Sequence, residues 1–234
     1  MTVARSLILI PALVNAFALA AENPKVKILQ NPGIQWSQWR GPLGNGYAPH
    51  ANPPVEWSET KNIRWKTALP GLGHSSPIVW SDHVYLTTGV PQGEKLPVPE
   101  QPTGAHNNLD PFHKLNFTVL AINRQNGKTI WQKIVHTAQP HQSTHESATW
   151  ASNSPITDGR RVIASFGSSG LYCLDTKNGK LIWKKDFGNM HVKHGHGEGA
   201  SPVLHDNTVV INWDHEGDSF VVALDKRTGK ELWR

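Results

Sequence analysis

His194, His196 and Glu198 stand at every second position of the stretch "HVKHGHGEG", residues 191–199. In an extended chain alternate side chains point to one side. Two imidazoles and a carboxylate on one side are a ligand set for zinc, copper, iron or nickel, and His141, His145 or Glu146 of "HQSTHE" is available to complete a shell. A metal held this way, with one position open to water, would serve a hydrolase or lyase. Glycines at 195, 197 and 199 leave the backbone free to take other shapes. The spacing matches no recognised zinc-enzyme helix pattern, so these residues by themselves assign no metal and no catalytic residue. Imidazoles titrate near pH 6.5, so a ligand bound among them is expected to bind with pH-dependent affinity.

What must position these residues is a repeat. "INRQNGKTIW" at 122–131, "LDTKNGKLIW" at 174–183 and "LDKRTGKELW" at 224–233 are versions of one phrase, and Trp131, Trp183 and Trp233 follow one another at spacings of 52 and 50 residues. That period suits a four-stranded blade. Trp65 comes 66 residues earlier, so the first unit carries an insertion, from about Pro91 to His113.

A second landmark opens each unit: Ser76-Pro77, Ser154-Pro155 and Ser201-Pro202. Between the landmarks, turn residues alternate with β-rich runs, four short strands per unit. Gly127, Gly179 and Gly229 supply the positive φ that a tight turn between the third and fourth strands needs. Asn123, Asp175 and Asp225 open those turns, where a short side chain can accept from backbone N–H groups two or three residues on. The tryptophans are plates too large for one sheet to bury, so they are expected to pack between neighbouring blades. Cys173 aligns with Ala121 and Ala223 and reads as a small buried filler.

The phrase Ala-x-Asp-x-x-Thr-Gly-x-x-x-Trp, intact at 223–233 and varied in the other units, resembles the blade signature of the pyrroloquinoline-quinone (PQQ)-like β-propellers. The resemblance covers roughly residues 61–234. It implies an all-β chain, a β-propeller of four-stranded antiparallel blades. Residues 61–70, with Trp65, would be an orphan N-terminal strand that closes the last blade, and the blades would span about 74–134, 150–186 and 198–234. Closed propellers need at least four blades. The chain is therefore expected to be an N-terminal portion of a longer protein, with further blades beyond it.

In such a disc the connections from strand four to the next strand one lie on the same face as those from strand two to strand three. His74, His136, His141, His145, His191, His194 and His196 fall in the first kind, and His106, His113 and His215 in the second. Loops on a rigid scaffold are where binding usually resides. His74, His141, His145, Trp150, His194, His196 and Glu198 are accordingly the candidate binding residues, with His74, Trp150 and Glu198 expected near the channel mouth.

The resemblance implies two activities. One is a non-catalytic binding or scaffold role, as for the lipoprotein BamB, with a protein, peptide or polysaccharide as partner. The other is a PQQ-dependent dehydrogenase with calcium on the axis. Alcohol dehydrogenases of that family carry an adjacent cysteine pair against the cofactor, and this chain has one cysteine. No cofactor is therefore expected. No catalytic triad, nucleotide loop or carboxylate pair emerges either, which favours the binding role.

Arg5, the apolar run Leu7–Leu19 and the small residues before Ala21 read as a secretory signal over residues 1–20, followed by a lead-in over 21–60. The run is too short to span a bilayer. The expected location is periplasmic or extracellular. The formal charge of +5 falls to +4 without Arg5, and its cations are scattered, which does not suit nucleic acid.

Overall fold

The computed structural model describes residues 35–234, so the secretory signal and residues 21–34 of the lead-in lie outside it. Three four-stranded antiparallel sheets follow one another along the chain, as the repeat requires. The first comprises β1 (Ile78–Trp80), β2 (His83–Gln92), β4 (Lys114–Asn123) and β5 (Thr129–Ala138). The second comprises β7 (Ile156–Thr157), β8 (Arg161–Ser165), β9 (Leu171–Asp175) and β10 (Leu181–Lys185). The third comprises β11 (Val203–His205), β12 (Thr208–Trp213), β13 (Phe220–Asp225) and β14 (Glu231–Trp233). A two-stranded ribbon, β3 (Asn108–Leu109) with β6 (Thr144–His145), joins the insertion to the next connection.

The period of two in a strand sends alternate side chains into two different interfaces. Val162, Ala164, Tyr172 and Leu174 of the second blade pack with Ile78, Phe117 and Val119 of the first. Their sequence neighbours Ile163, Leu171 and Cys173 pack with Val209, Ile211, Val222 and Leu224 of the third. The middle blade is thus apolar on both faces, and no single blade could bury what it carries.

The tryptophans lock the blades. A Cβ on Gly179 would lie 2.8 Å from the Trp131 ring, and one on Gly229 would lie 2.8 Å from Trp183, so each indole lies directly on the turn glycine of the following blade. Each also donates its Nε1–H to a carbonyl of that turn: Trp131 to Thr176 at 2.9 Å and Trp183 to Lys226 at 3.0 Å. Trp65 repeats the arrangement on the first blade, donating to Arg124 O at 2.9 Å beside Gly127. Trp233 stands 52% exposed. The turns close as expected: the amides of Lys177 and Arg227 donate to the Asp175 and Asp225 carboxylates, and those of Gln125 and Asn126 to Asn123.

The segment expected to close a last blade has no such blade beside it among the described residues, and one expectation, for His136, is corrected. Residues 61–70 form no strand ladder. Trp65 and Thr67 hold the segment by side chain, Thr67 Oγ1 donating to Gly127 O at 2.7 Å, because no described strand lies beside it to pair. His136 is on β5, stacked against Phe117, and not in a connection.

The lead-in binds the inner ends of two blades. Val79 N donates to Trp36 O at 2.7 Å, Thr157 N to Ser37 O at 2.9 Å and Ser81 N to Gln35 Oε1 at 2.8 Å. On that side Asp158 lies between Lys226 Nζ at 3.0 Å and Arg161 at 3.6 Å, joining the second and third blades. Burial pushes the Asp158 carboxyl up, but hydrogen bonds from the Arg161 amide, Lys226 and the Arg160 amide overcome this and hold it below the usual carboxylate range.

Candidate functional site

Three connections meet on the opposite side: the insertion, residues 139–155, and residues 186–202. Their backbones fasten to one another. Asn108 Nδ2 donates to Ser143 Oγ and to His194 O, both at 2.8 Å. His145 N donates to His196 O at 3.2 Å, and Glu146 N to Asn107 O at 2.8 Å. Ser143 is buried at the crossing, taking Gln101 Oε1 on its amide and donating its hydroxyl to Gly195 O.

The alternating stretch is not extended. His194 has φ 60, Gly195 φ 65 and Gly197 φ 96, so the chain turns on itself through the left-handed region. That separates the expected ligands. Glu198 points away from His194 and His196, into the β8–β9 turn, where its carboxylate accepts from Ser168 N at 2.6 Å and Ser168 Oγ at 2.5 Å. A Cβ at residue 167 would overlap this carboxylate, so the turn at Gly167 (φ 55) admits it only as glycine. Burial pushes the Glu198 carboxyl above its usual range, against the hydrogen bonds from Ser168 and the nearby His141 and His215. A shared ion among His194, His196 and Glu198 is therefore not the arrangement found.

The imidazoles find one another instead. His106, from the insertion, lies 5.3 Å from His194 and 4.8 Å from His196 between ring centres; His145 lies 5.0 Å from His196. His141 and His191 form a separate edge contact at 6.4 Å, and His141 Nε2 bonds Met190 O at 2.8 Å. The His196 pKa is lowered, by burial first and then by the facing His106, His145 and His194.

Of the remaining candidates, His74 is fixed to the second blade's connection through Ser147 O at 3.1 Å. Trp150 is a packing residue, donating its N–H to Gln142 O at 2.8 Å and resting on the first inter-blade core. Ser168, Gly167 and Asn108 were missing from the sequence candidates. Small and amide side chains in a loop carry no periodic signal, and only their partners reveal them. His106, which the disc topology puts on this face, comes to the cluster from 90 residues away in the chain, a proximity that only the fold reveals.

Beside Glu198 opens a recess of about 380 Å³ between residues 190–200 and 212–216. Its rim carries His191, Lys193, Asn212, Asp214 and Glu216, all exposed. His215 Nδ1 accepts the amides of His191 and Gly217 and so joins the two walls. Donors and acceptors of both charges line this rim, which suits a polar chain.

The one thiol, Cys173, is buried within the second and third blades' core, with burial raising its pKa to about 12. Glu198, the buried carboxylate of this face, has both oxygens taken by Ser168.

A family model described as outer membrane protein assembly factor BamB matches residues 110–234. No curated protein sequence matches the chain. Among solved structures, a europium-containing methanol dehydrogenase superposes with a TM-score of 0.53 at 14% identity, over 90% of this chain and 33% of that one. The quinohemoprotein alcohol dehydrogenase ADHIIG from Pseudomonas putida HK5 gives 0.49 at 16% identity, over 91% and 28%. BamB from Moraxella catarrhalis gives 0.31 at 17% identity, over 57% and 34%. The chain thus spans about a third of the length of these proteins. At such identities the likeness to the methanol dehydrogenase shows a shared fold and nothing of the chemistry.

Proposed function

The chain belongs to the PQQ-like β-propeller repeat family whose model is described as outer membrane protein assembly factor BamB, and on that premise we propose that it is an exported, non-catalytic binding module. Its loop-rich face takes a peptide, a protein segment or a polysaccharide. The supporting observation is the polar recess of about 380 Å³ beside Glu198, whose walls are joined through His215. Binding groups held by such contacts lose little freedom when a partner arrives, which lowers the entropic cost of association. Export is supported by the signal-like residues 1–20 and by the outer-membrane role in the family model's description. Among the described residues no helix is long and apolar enough to cross a membrane.

The test is a panel of polysaccharides and peptides over the immobilised full chain, with Lys193→Ala/Glu216→Ala as the comparison. A partner that binds the native chain and is lost from a variant of unchanged melting temperature supports the reading. Alcohol-dependent dye reduction after incubation with PQQ and calcium, or binding that ignores the rim substitutions, overturns it.

A further inference from the structure

We propose that His106, His145, His194 and His196 form a binding site for one divalent transition-metal ion of the zinc, copper or nickel kind. The spacing of the rings carries this first. An imidazole nitrogen sits about 2.0–2.1 Å from such an ion, which places the ring centre about 3.2 Å away and two rings on a tetrahedral ion about 5 Å apart. The triangle of His106, His194 and His196 has sides of 5.3, 4.8 and 5.6 Å, and His145 adds a fourth ring 5.0 Å from His196.

The nitrogens carry it next. Metal-bound histidines usually tie their other nitrogen to a carbonyl or hydroxyl, which fixes the tautomer and aims the free nitrogen at the ion. His106 Nδ1 contacts Gly104 O at 2.8 Å, and His145 Nδ1 contacts Ser147 Oγ at 2.7 Å, leaving Nε2 of each for a ligand. His194 Nδ1 and His196 Nε2 are buried with no well-formed hydrogen bond, and the His196 ring is in reach of the His106 backbone alone. Two orphaned nitrogens in one cluster are costly unless something pairs with them.

The backbone is already set. Asn108 and Ser143 clamp the loops that carry all four rings, and His194 is held at φ 60, a conformation a β-carbon disfavours. Strain of this kind persists where surrounding contacts impose it. As the rings stand, no three of them converge closely enough to hold an ion. Closing the set takes rotation of the His194 and His196 rings about their Cβ–Cγ bonds, a soft torsion, while the tied rings of His106 and His145 keep their contacts.

The experiment uses the full chain stripped with chelator. Calorimetric titration with Zn²⁺ is expected to give one ion per chain, and Cu²⁺ electron paramagnetic resonance to show at least three nitrogen donors. His106→Ala, an exposed position, is expected to weaken zinc at least about tenfold, while His50→Ala/His205→Ala leaves it unchanged. Absence of a stoichiometric zinc site, a copper spectrum with fewer than three nitrogens, or full affinity in His106→Ala would each overturn the proposal. The copper spectrum is read on the native chain and so does not depend on how any variant folds.

Discussion

The amide of Ser76 donates to the hydroxyl of Ser154 at 2.9 Å, and the amide of Ser154 in turn donates to the hydroxyl of Ser201 at 3.0 Å. The hydroxyls of Ser154 and Ser201, in the second and third Ser-Pro landmarks, are therefore each the link to the blade before. Ser154→Ala leaves the Ser76 amide without its acceptor, and the expected loss is about 1–3 kcal/mol in urea denaturation. An unchanged midpoint would mean that the link is ornamental.

Gly179→Ala meets two penalties. Its φ of +68 disfavours a β-carbon by about 1–2 kcal/mol, and that carbon would lie 2.8 Å from the Trp131 ring. Gly188, at φ +88 with nothing within 4 Å, meets only the first. Gly179→Ala is therefore expected to lower the melting temperature well beyond Gly188→Ala. In a Trp131→Ala background the two should become nearly equal, since the clash is gone; a double-mutant cycle measures this.

Acid should loosen the side that holds the lead-in. Asp158 has a folded pKa held below its unfolded value, so it contributes stability that is present above the unfolded pKa and is lost as pH falls through the folded one. Denaturation midpoints between pH 7 and pH 2.5 should show a slope that Asp158→Asn reduces. Lys226→Met should also be destabilising, because it leaves a largely buried carboxylate with one partner fewer.

Cys173 is a reporter of unfolding. With its thiol buried and its pKa raised to about 12, alkylation at pH 8 should be negligible in the native chain and rapid in denaturant. Labelling at a rate independent of denaturant would contradict its place between the blades.

Ser168→Ala should disturb the loop face more than its size suggests. Its hydroxyl donates to Glu198 and accepts the Met190 amide at 2.7 Å, so its loss frees a buried carboxylate and the start of the 190–200 connection together. Faster amide exchange confined to residues 188–200 is the expected signature.

Repetition made the fold legible in the sequence. A phrase recurring every fifty residues, with a turn glycine and a tryptophan at fixed offsets, has one physical purpose: each indole needs the next unit's glycine beneath it, and the structure supplies that pairing for Trp65, Trp131 and Trp183. Strand alternation and the short side chains at Asn123, Asp175 and Asp225 are local properties, so they were readable without coordinates. That the histidine loops share one face followed only from the propeller topology that the repeat resembles, and His136, on β5, is the exception.

What the sequence left open was which loop residue meets which. An extended reading of residues 191–199 put Glu198 with His194 and His196, whereas left-handed turns at His194, Gly195 and Gly197 send the carboxylate to Ser168 and the imidazoles to His106 and His145. Those partners come from three connections separated by dozens of residues, and only the stacking of the blades brings them together. Side-chain pattern decides a strand because its geometry is fixed by the backbone; a glycine-rich loop has no such rule, and its contacts are chosen by the tertiary structure around it.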